Sequence, residues 1–150
     1  MAERIIHLQP KHYDIPGRDR ESDIGQAVDA AIKEAVTLVG AVPSSRFDPH
    51  DYFLDGYYHE IKSSAGTWLS IPNSEVEFAL AEIEAGRDVV YDIVLQLDLH
   101  SARFLGQISF STFNNFVEPS KFMKWRLLES GWVQERSYRV PLSKVLPLLT

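Results

Sequence analysis

The chain of 150 residues contains no cysteine. This absence excludes a disulfide framework, a thiolate zinc site and a cysteine nucleophile, and it is compatible with a cytoplasmic protein. No apolar run approaches the roughly 18 to 20 residues of a membrane span, and the N-terminal residues lack the long apolar core of a signal peptide. We therefore expect a cytoplasmic protein that has no membrane partner.

An excess of positive charge is also missing, because the formal net charge is −6. Such a charge argues against a protein that coats nucleic acid by bulk electrostatics, although local basic segments can still bind phosphate. The sequence has no repeats, no low-complexity segments, no glycine-rich phosphate loop and no zinc-ligand spacing among its five histidines. With 45% hydrophobic residues, its length suits one domain that spans residues 1–150.

The most informative stretch is 49–64, which is centred on Asp55-Gly56. This pair favours a two-residue type I′ turn, and aromatic and apolar residues lie on both sides of it, so the stretch predicts a β-hairpin. Counting outward from the turn pairs the two strands residue by residue and places Asp51 opposite Glu60. Directly opposed residues share one face of an antiparallel pair, and Lys62, two residues beyond Glu60, shares that face too.

Two neighbouring carboxylates repel each other unless positive charge lies between them, and Mg²⁺ prefers oxygen ligands of this kind. A bound cation stabilises the charge that develops on a phosphodiester in the transition state, and Lys62 can orient the attacking water or stabilise the same charge. The alternative is a surface ion pair between Asp51 and Lys62, with Glu60 nearby. Asp48 is a rival for the role of Asp51, but it needs a different turn.

The segment Pro49-His50-Asp51, followed by Glu60-Ile61-Lys62, resembles the signature of the PD-(D/E)XK nucleases. It departs from that signature at His50, which separates the proline from the aspartate. The resemblance implies that Asp51 and Glu60 hold Mg²⁺, with Mn²⁺ as a substitute, and that Ile61 contributes its backbone carbonyl to the metal. It also implies that Lys62 positions or activates the water.

The first helix of this family often supplies one further acidic residue, and Glu21 is the position that matches. The alternative for Glu21 is a favourable interaction with the helix dipole from the first turn. That helix is predicted from Asp19 or Ser22 to about Val39. Its expected buried face consists of Ile24, Val28, Ala31, Ala35 and Leu38.

The elements after the hairpin extend the resemblance. A capping box of Ser74 and Glu77 starts a second predicted helix, which ends at Gly86, and the apolar run 89–97 predicts a buried strand. The order of helix, strand, hairpin, helix and buried strand over about 19–98 is that of the PD-(D/E)XK core. We therefore expect an α/β fold with a mixed sheet of about four to six strands flanked by helices, and a restriction-endonuclease-like core.

Residues 99–150 are expected to form a C-terminal extension of that core. We predict a strand over 103–113, a third helix that starts at Glu118 and ends at Gly131, a strand over 132–140 and a short last helix over 141–149; a further short strand is predicted over 4–8. This extension is the most basic region, and its Lys and Arg residues are Lys121, Lys124, Arg126, Arg136, Arg139 and Lys144. It is the candidate contact with DNA or with a second subunit, and a solvated surface is the alternative.

These features together predict a metal-dependent endonuclease that hydrolyses DNA phosphodiester bonds. Its catalytic residues would be Asp51, Glu60 and Lys62, with Glu21 as an accessory. A homodimer follows from the resemblance, because cutting a duplex usually needs two sites. The alternative is a domain of the same fold that binds nucleic acid or protein without cutting, or an unrelated α/β interaction protein with a surface ion pair.

Overall fold

The structure is a computed structural model that describes the backbone of residues 4–9 and 20–150 and the side chains of residues 5–9 and 24–150. The strands, in chain order, are β1 (Arg4–His7), β2 (Val42–Pro43), β3 (Tyr52–Leu54), β4 (Tyr57–Ser64), β5 (Trp68–Pro72), β6 (Val89–Gln96), β7 (Ser101–Ser109), β8 (Glu118–Leu128) and β9 (Gly131–Pro141). The α-helices are α1 (Arg20–Thr37), α2 (Asn73–Glu84), α3 (Phe110–Phe113) and α4 (Leu142–Val145). Of the helices in this described part, none is long and apolar enough to cross a membrane.

The strands form two sheets. A six-stranded mixed sheet has the order β1-β7-β6-β4-β3-β2, and a three-stranded antiparallel sheet has the order β5-β9-β8. Within the six-stranded sheet the pair of β4 and β6 is parallel, and the connection between them includes α2. The expected α/β class with a mixed sheet is therefore confirmed.

Each face of the six-stranded sheet buries its own core. On one face α1 contributes Ile24, Val28 and Ile32, which pack with Ile61 and Val94 of the sheet. These helix positions recur every four residues, as an amphipathic helix requires. The predicted buried face of α1 was wrong at Ala35, which is exposed within the helix, and at Leu38, which lies beyond the helix end at Thr37 and is 85% exposed.

The other face is covered by α2 and the three-stranded sheet. Leu69 of β5 and Val140 of β9 are fully buried there against Tyr91 and Ile93 of β6. The run 89–97 is apolar on both faces because β6 lies in the middle of the sheet between these two layers. That prediction of a buried strand is confirmed.

The predicted hairpin is present. Asp55 and Gly56 have φ angles of 52° and 89°, as a type I′ turn requires at its two central residues. The pairing of residues 52–54 with residues 59–57 follows the predicted register. The register changes at Asp51, whose N–H donates to the carbonyl of His59 at 2.9 Å, so Asp51 is not paired with Glu60 in the ladder.

The predicted third helix is wrong. Residues Glu118–Leu128 form β8, which pairs with β9 across a turn that ends at Gly131. The apolar residues Phe122, Trp125 and Leu128 were spaced by three, which resembles a helical period. The register of β8 shifts between Ser120 and Met123, and this irregularity interrupts the alternation that would have indicated a strand.

The predicted capping box at the start of α2 is also wrong. Ser74 does not cap its own helix, because its N–H and hydroxyl both donate to the carboxylate of Glu135 in β9. Glu77 instead accepts a hydrogen bond from Asn73. The predicted strands β1, β7 and β9 and the helix α4 are present, although β7 runs from Ser101 to Ser109 and not to residue 113. Strand β5 was not predicted.

Candidate functional site

The candidate site lies where β3 separates from β4. Pairing of these strands ends at Tyr52 and His59, while β4 continues to Ser64 beside β6. At this point the Asp51 carboxylate Oδ2 accepts a hydrogen bond from the N–H of Ile61 at 2.7 Å. The carboxylate thus occupies the place of a backbone carbonyl on the open side of β4, and this fixes its position.

A buried hydrogen-bond network holds the last pair of the ladder in place. Asp92 of β6, which is 1% exposed, accepts a hydrogen bond from the hydroxyl of Tyr52 and another from Gln107 Nε2 at 2.7 Å. The ring of His59 stacks on Tyr52 with centroids 4.5 Å apart, and its Nδ1 lies 3.4 Å from Asp92. Tyr52 is the first residue of β3 and directly follows Asp51. This network therefore determines the point at which the chain leaves the sheet.

Glu60 and Lys62 project from β4 toward α2. Lys62 Nζ lies 2.5 Å from Glu75 Oε2 in the first turn of α2, and the side chains of this pair are 14% and 12% exposed. Glu60 is 2% exposed, and its Oε1 has no hydrogen-bond partner in the described part of the chain. The predicted residues Glu60 and Lys62 therefore share one face, together with a carboxylate from α2.

Helix α1 brings further charges to Asp51. Lys33 Nζ lies 3.4 Å from Asp51 Oδ1. Asp29, one turn earlier on α1, interacts with the charges of Asp51 and Lys62, so it belongs to the same cluster. The charged cluster consists of Asp29, Lys33, Asp51, Glu60, Lys62 and Glu75.

The acidic groups in this cluster are shifted toward their protonated forms. Burial and then the neighbouring Glu75 and Asp51 charges raise the pKa of Glu60 well above its usual range. Burial raises the pKa of Asp51, although Lys33 and the Ile61 N–H act in the opposite direction. Burial and the charge of Asp51 likewise raise the pKa of Asp29. The carboxylates outnumber the lysines, and the cluster therefore favours additional positive charge.

The pKa of Lys62 is also raised, but for a different reason. Burial alone would lower its pKa, but the charges of Glu75 and Glu60 outweigh this effect and hold the pKa above its usual value. Tyr91 of β6, the pairing partner of Glu60, borders the same cluster, and burial and the charges of Glu75 and Glu60 raise its pKa. Its hydroxyl is buried without a hydrogen-bond partner among the described residues.

The donor chemistry of the cluster fits a hard cation. Two buried oxygens, Glu60 Oε1 and the Tyr91 hydroxyl, have no hydrogen-bond partner among the residues that the structure describes, and the other oxygen ligands of the cluster are carboxylates, which Mg²⁺ and Mn²⁺ prefer. Three acidic or histidine side chains arranged to hold a metal ion do not occur in the described residues. Mg²⁺ nevertheless often binds through one or two carboxylates and several waters. Asp51 and Glu60 could supply those two carboxylates.

The predicted site residues have different outcomes. Asp51, Glu60 and Lys62 lie in one cluster, whereas Ile61 contacts Asp51 through its N–H and its carbonyl remains a predicted ligand. Glu21 lies in the first turn of α1, but its side chain is outside the described part of the chain.

The rival residue Asp48 is exposed, and its carboxylate accepts a hydrogen bond from the N–H of Ser45 at 2.9 Å within a loop. Three cluster members were missed by the sequence analysis: Asp29, Lys33 and Glu75. Glu75 lies in the first turn of α2, where acidic residues are common, and nothing local in the sequence distinguishes Asp29 or Lys33 from solvated residues of α1.

Comparison of the chain with protein-family models, with characterised proteins and with solved structures gave no match.

Proposed function

We propose that the protein is a metal-dependent endonuclease that hydrolyses DNA phosphodiester bonds, with a PD-(D/E)XK-like core. One observation carries this proposal. Asp51, Glu60 and Lys62 belong to one charged cluster at the opening between β3 and β4, where burial raises the pKa values of both carboxyl groups and the charge of Glu75 raises them further. Clusters of strongly perturbed acidic groups beside a lysine are more frequent at functional sites than elsewhere on proteins.

The topology around the cluster supports the proposed core. Helix α1, strands β2 to β4, helix α2 and strand β6 occur in the order of that core, with β5 of the three-stranded sheet inserted between β4 and α2. Strands β4 and β6 are parallel, with α2 between them in the chain. The cluster receives residues from α1, the β3 end, β4 and α2, so four elements of the proposed core converge on it.

The proposed metal would be held by Asp51 and Glu60, with the Ile61 carbonyl as a further ligand. Bound there, Mg²⁺ would stabilise negative charge on the phosphate and lower the pKa of a bound water. In the hydrolysis the water oxygen joins phosphorus and the bond from phosphorus to the leaving sugar oxygen breaks. One hydrogen of the water ends on the leaving hydroxyl, and the other ends on the new phosphate monoester.

The roles of the other side chains follow from their contacts. Lys62 is paired with a carboxylate, so its ammonium group donates hydrogen bonds to a water or a phosphate oxygen and does not accept a proton. Asp51 is held in orientation by the Ile61 N–H. Lys33 beside Asp51 and the pair of Lys62 with Glu75 hold the cluster together before a cation binds.

The hairpin of β8 and β9 supports DNA as the substrate. Glu135 of β9 binds Ser74, which is next to Glu75 in the cluster, and thereby fixes the hairpin beside the site. Lys124 is the cross-strand partner of Glu135, and Arg126 lies two residues further along the same face. Basic side chains on a hairpin beside the cluster are suited to contact the phosphates of a bound DNA strand.

The first experiment is a cleavage assay with supercoiled plasmid, branched DNA and single-stranded DNA in Mg²⁺ or Mn²⁺. We expect metal-dependent cutting, and we expect Lys62→Ala to reduce its rate by at least about 100-fold because a charged donor to the transition state is lost. Ser143→Ala, at an exposed position in α4, is the control and should cut at the wild-type rate.

Loss of Lys62 also leaves Glu75 without its partner, so folding must be measured alongside activity. The double variant Lys62→Ala/Glu75→Gln removes that uncompensated charge and should be folded but still inactive. Wild-type activity in either Lys62 variant would contradict the proposal. Absence of cutting on every substrate, together with no Mn²⁺ binding that depends on Asp51, would favour the non-catalytic binding domain.

We also propose a homodimer, because cutting both strands of a duplex usually needs two sites. Light scattering of the eluted protein in size-exclusion chromatography measures this directly. A mass near twice 17.1 kDa is expected, and a monomer at all concentrations would contradict it.

A further inference from the structure

A second feature lies next to the charged cluster. It is a surface pocket of about 400 Å³, which is within the size range of small-ligand sites. Its half-buried aromatic wall consists of His50, Phe53 and Tyr58. The rings contact one another, with His50 and Tyr58 centroids 4.3 Å apart and Phe53 and Tyr58 centroids 4.9 Å apart. The ring planes are inclined to that of Tyr58 by 35° for His50 and 63° for Phe53, so a ligand ring would stack on the face of one of these rings.

Polar groups complete the pocket. Arg87 lies over the ring of Tyr58, with its guanidinium carbon 5.8 Å from the centroid, and its Nε pairs with Glu82 at 3.0 Å. Asp48 lines the same pocket and is exposed. A phosphate group is disfavoured there, because a carboxylate lines the pocket and the guanidinium is already paired. A flat ring with hydrogen-bonding edges suits this combination better.

The position of the pocket relates it to the cluster. His50 directly precedes Asp51, and Tyr58 lies two residues before Glu60 on the same face of β4. Two residues of a strand span about 7 Å. Phe78 of α2, which packs on Tyr58 with centroids 5.3 Å apart, lies one turn beyond Glu75. The pocket and the cluster are therefore neighbours under the same helix.

We propose that this pocket binds one unpaired nucleobase of the DNA strand at the charged cluster. Aromatic side chains and arginine are the groups on which bases stack in single-strand binding proteins. A base inside a duplex is paired and stacked, so it reaches such a pocket only after leaving the helix or where the strand is already unpaired. The substrate class is therefore DNA with an unpaired nucleotide beside the cut. The position of the cut rests on the proposed function, but binding of the base does not.

The experiment compares two fluorescein-labelled hairpin duplexes of the same sequence, of which one is fully paired and one has a single bulged adenine. Affinity is measured by fluorescence anisotropy in EDTA, so that cleavage plays no part. We expect the bulged duplex to bind about 5- to 150-fold more tightly, which is the range for stacking of one base. Equal affinity for the two duplexes would overturn the proposal.

Substitutions in the pocket test whether the pocket causes the preference for the bulged duplex. Tyr58→Leu should remove it while leaving the affinity for the paired duplex within about twofold, and Tyr58→Phe, which keeps the ring, should retain it. Arg87→Gln is a second variant at an exposed position, and it should weaken the preference even if Tyr58→Leu does not fold. Tyr57→Leu, at an exposed residue of the same hairpin that does not line the pocket, should have no effect.

A preference for the bulge that survives both Tyr58→Leu and Arg87→Gln would place the base elsewhere and overturn the assignment. Displacement of the bulged duplex by dAMP at a concentration as low as that of the duplex would mean that the pocket serves a free nucleotide. These binding results do not depend on activity. A protein that cuts paired DNA without preferring the bulge would retain the proposed function and lose this inference.

Discussion

At the scale of single residues, Asp92 is the most constrained polar group of the sheet. It is 1% exposed and is surrounded by a tyrosine hydroxyl, a glutamine amide and a histidine ring. A buried carboxylate is tolerated only when such donors replace its lost hydration. Because two of these donors, Tyr52 and His59, form the last pair of β3 and β4, the network links stability to the placement of Asp51.

Tyr52→Phe removes one donor to Asp92 without changing the shape of the ring. We expect the free energy of unfolding to fall by about 1 to 3 kcal/mol, because a buried carboxylate loses a hydrogen bond. Urea denaturation measures this change. Tyr57→Phe, at a residue that is 46% exposed, is the control and should change stability by less than about 0.5 kcal/mol. Equal effects in the two variants would show that the network contributes nothing specific.

At the scale of elements, Thr150 is hydrogen-bonded to β7 beside Gly106. Gly106 has a φ of +144°, and its position coincides with the register shift at Ile93 and Val94 of β6. Thr150 and Gln107 exchange two backbone hydrogen bonds, at 2.9 and 3.1 Å. A Cβ at residue 106 would lie 2.8 Å from the Thr150 carbonyl oxygen. Glycine is therefore required both by the backbone conformation and by the close approach of the C-terminus.

Gly106→Ala should lower the free energy of unfolding by about 1 to 3 kcal/mol, since it imposes backbone strain and displaces Thr150. Gly25→Ala is the matched control. Its Cβ would meet Ser63 Oγ at 3.5 Å, an ordinary contact, and alanine favours a helix over glycine by up to about 1 kcal/mol. Thermal or urea unfolding should therefore show that Gly106→Ala lowers the free energy of unfolding and that Gly25→Ala raises it. A neutral Gly106→Ala would contradict the described attachment of the C-terminus.

Elements were predictable from the sequence where their determinants are local. The turn at Asp55-Gly56 fixed the hairpin register as far as Tyr52, and the apolar run 89–97 identified β6. The prediction was wrong for β8, although its turn to β9 is local, because the register shift between Ser120 and Met123 interrupts the alternation of a strand. It was silent for β5, because that strand is defined by pairing with β9, which is remote in the chain. Such non-local pairing leaves little trace in a short window of sequence.

The same distinction applies to the charged cluster. Asp51, Glu60 and Lys62 were identified because Asp51 directly precedes β3, the other two lie on β4, and a short turn joins these strands. Asp29 and Glu75 enter the cluster only when α1 and α2 pack on opposite faces of the sheet at the opening between β3 and β4. Whether Asp29 and Glu75 face the cluster depends on how each helix is rotated about its axis against the sheet. The spacing of apolar residues does not define this rotation closely enough to predict it.

At the scale of the whole molecule, charge is unevenly distributed. Residues 118–150 contain six Lys and Arg against three Glu, a net charge of +3, whereas residues 1–117 contain nine Lys and Arg against eighteen Asp and Glu, a net charge of −9. The overall acidity therefore belongs to the part that contains the charged cluster. A DNA strand would be attracted by the hairpin of β8 and β9 and repelled elsewhere, which would favour one orientation of binding.

This asymmetry predicts how DNA binding depends on salt. Each phosphate contact contributes about −0.9 to the slope of log affinity against log salt concentration. The double variant Lys124→Gln/Arg126→Gln should therefore make that slope less negative by about 2, when affinity for a duplex is measured by anisotropy in EDTA at several salt concentrations. Lys144→Gln, at an exposed residue outside the hairpin, should leave the slope unchanged. An unchanged slope in the double variant, or an equal change in Lys144→Gln, would mean that the hairpin does not direct the DNA to the cluster.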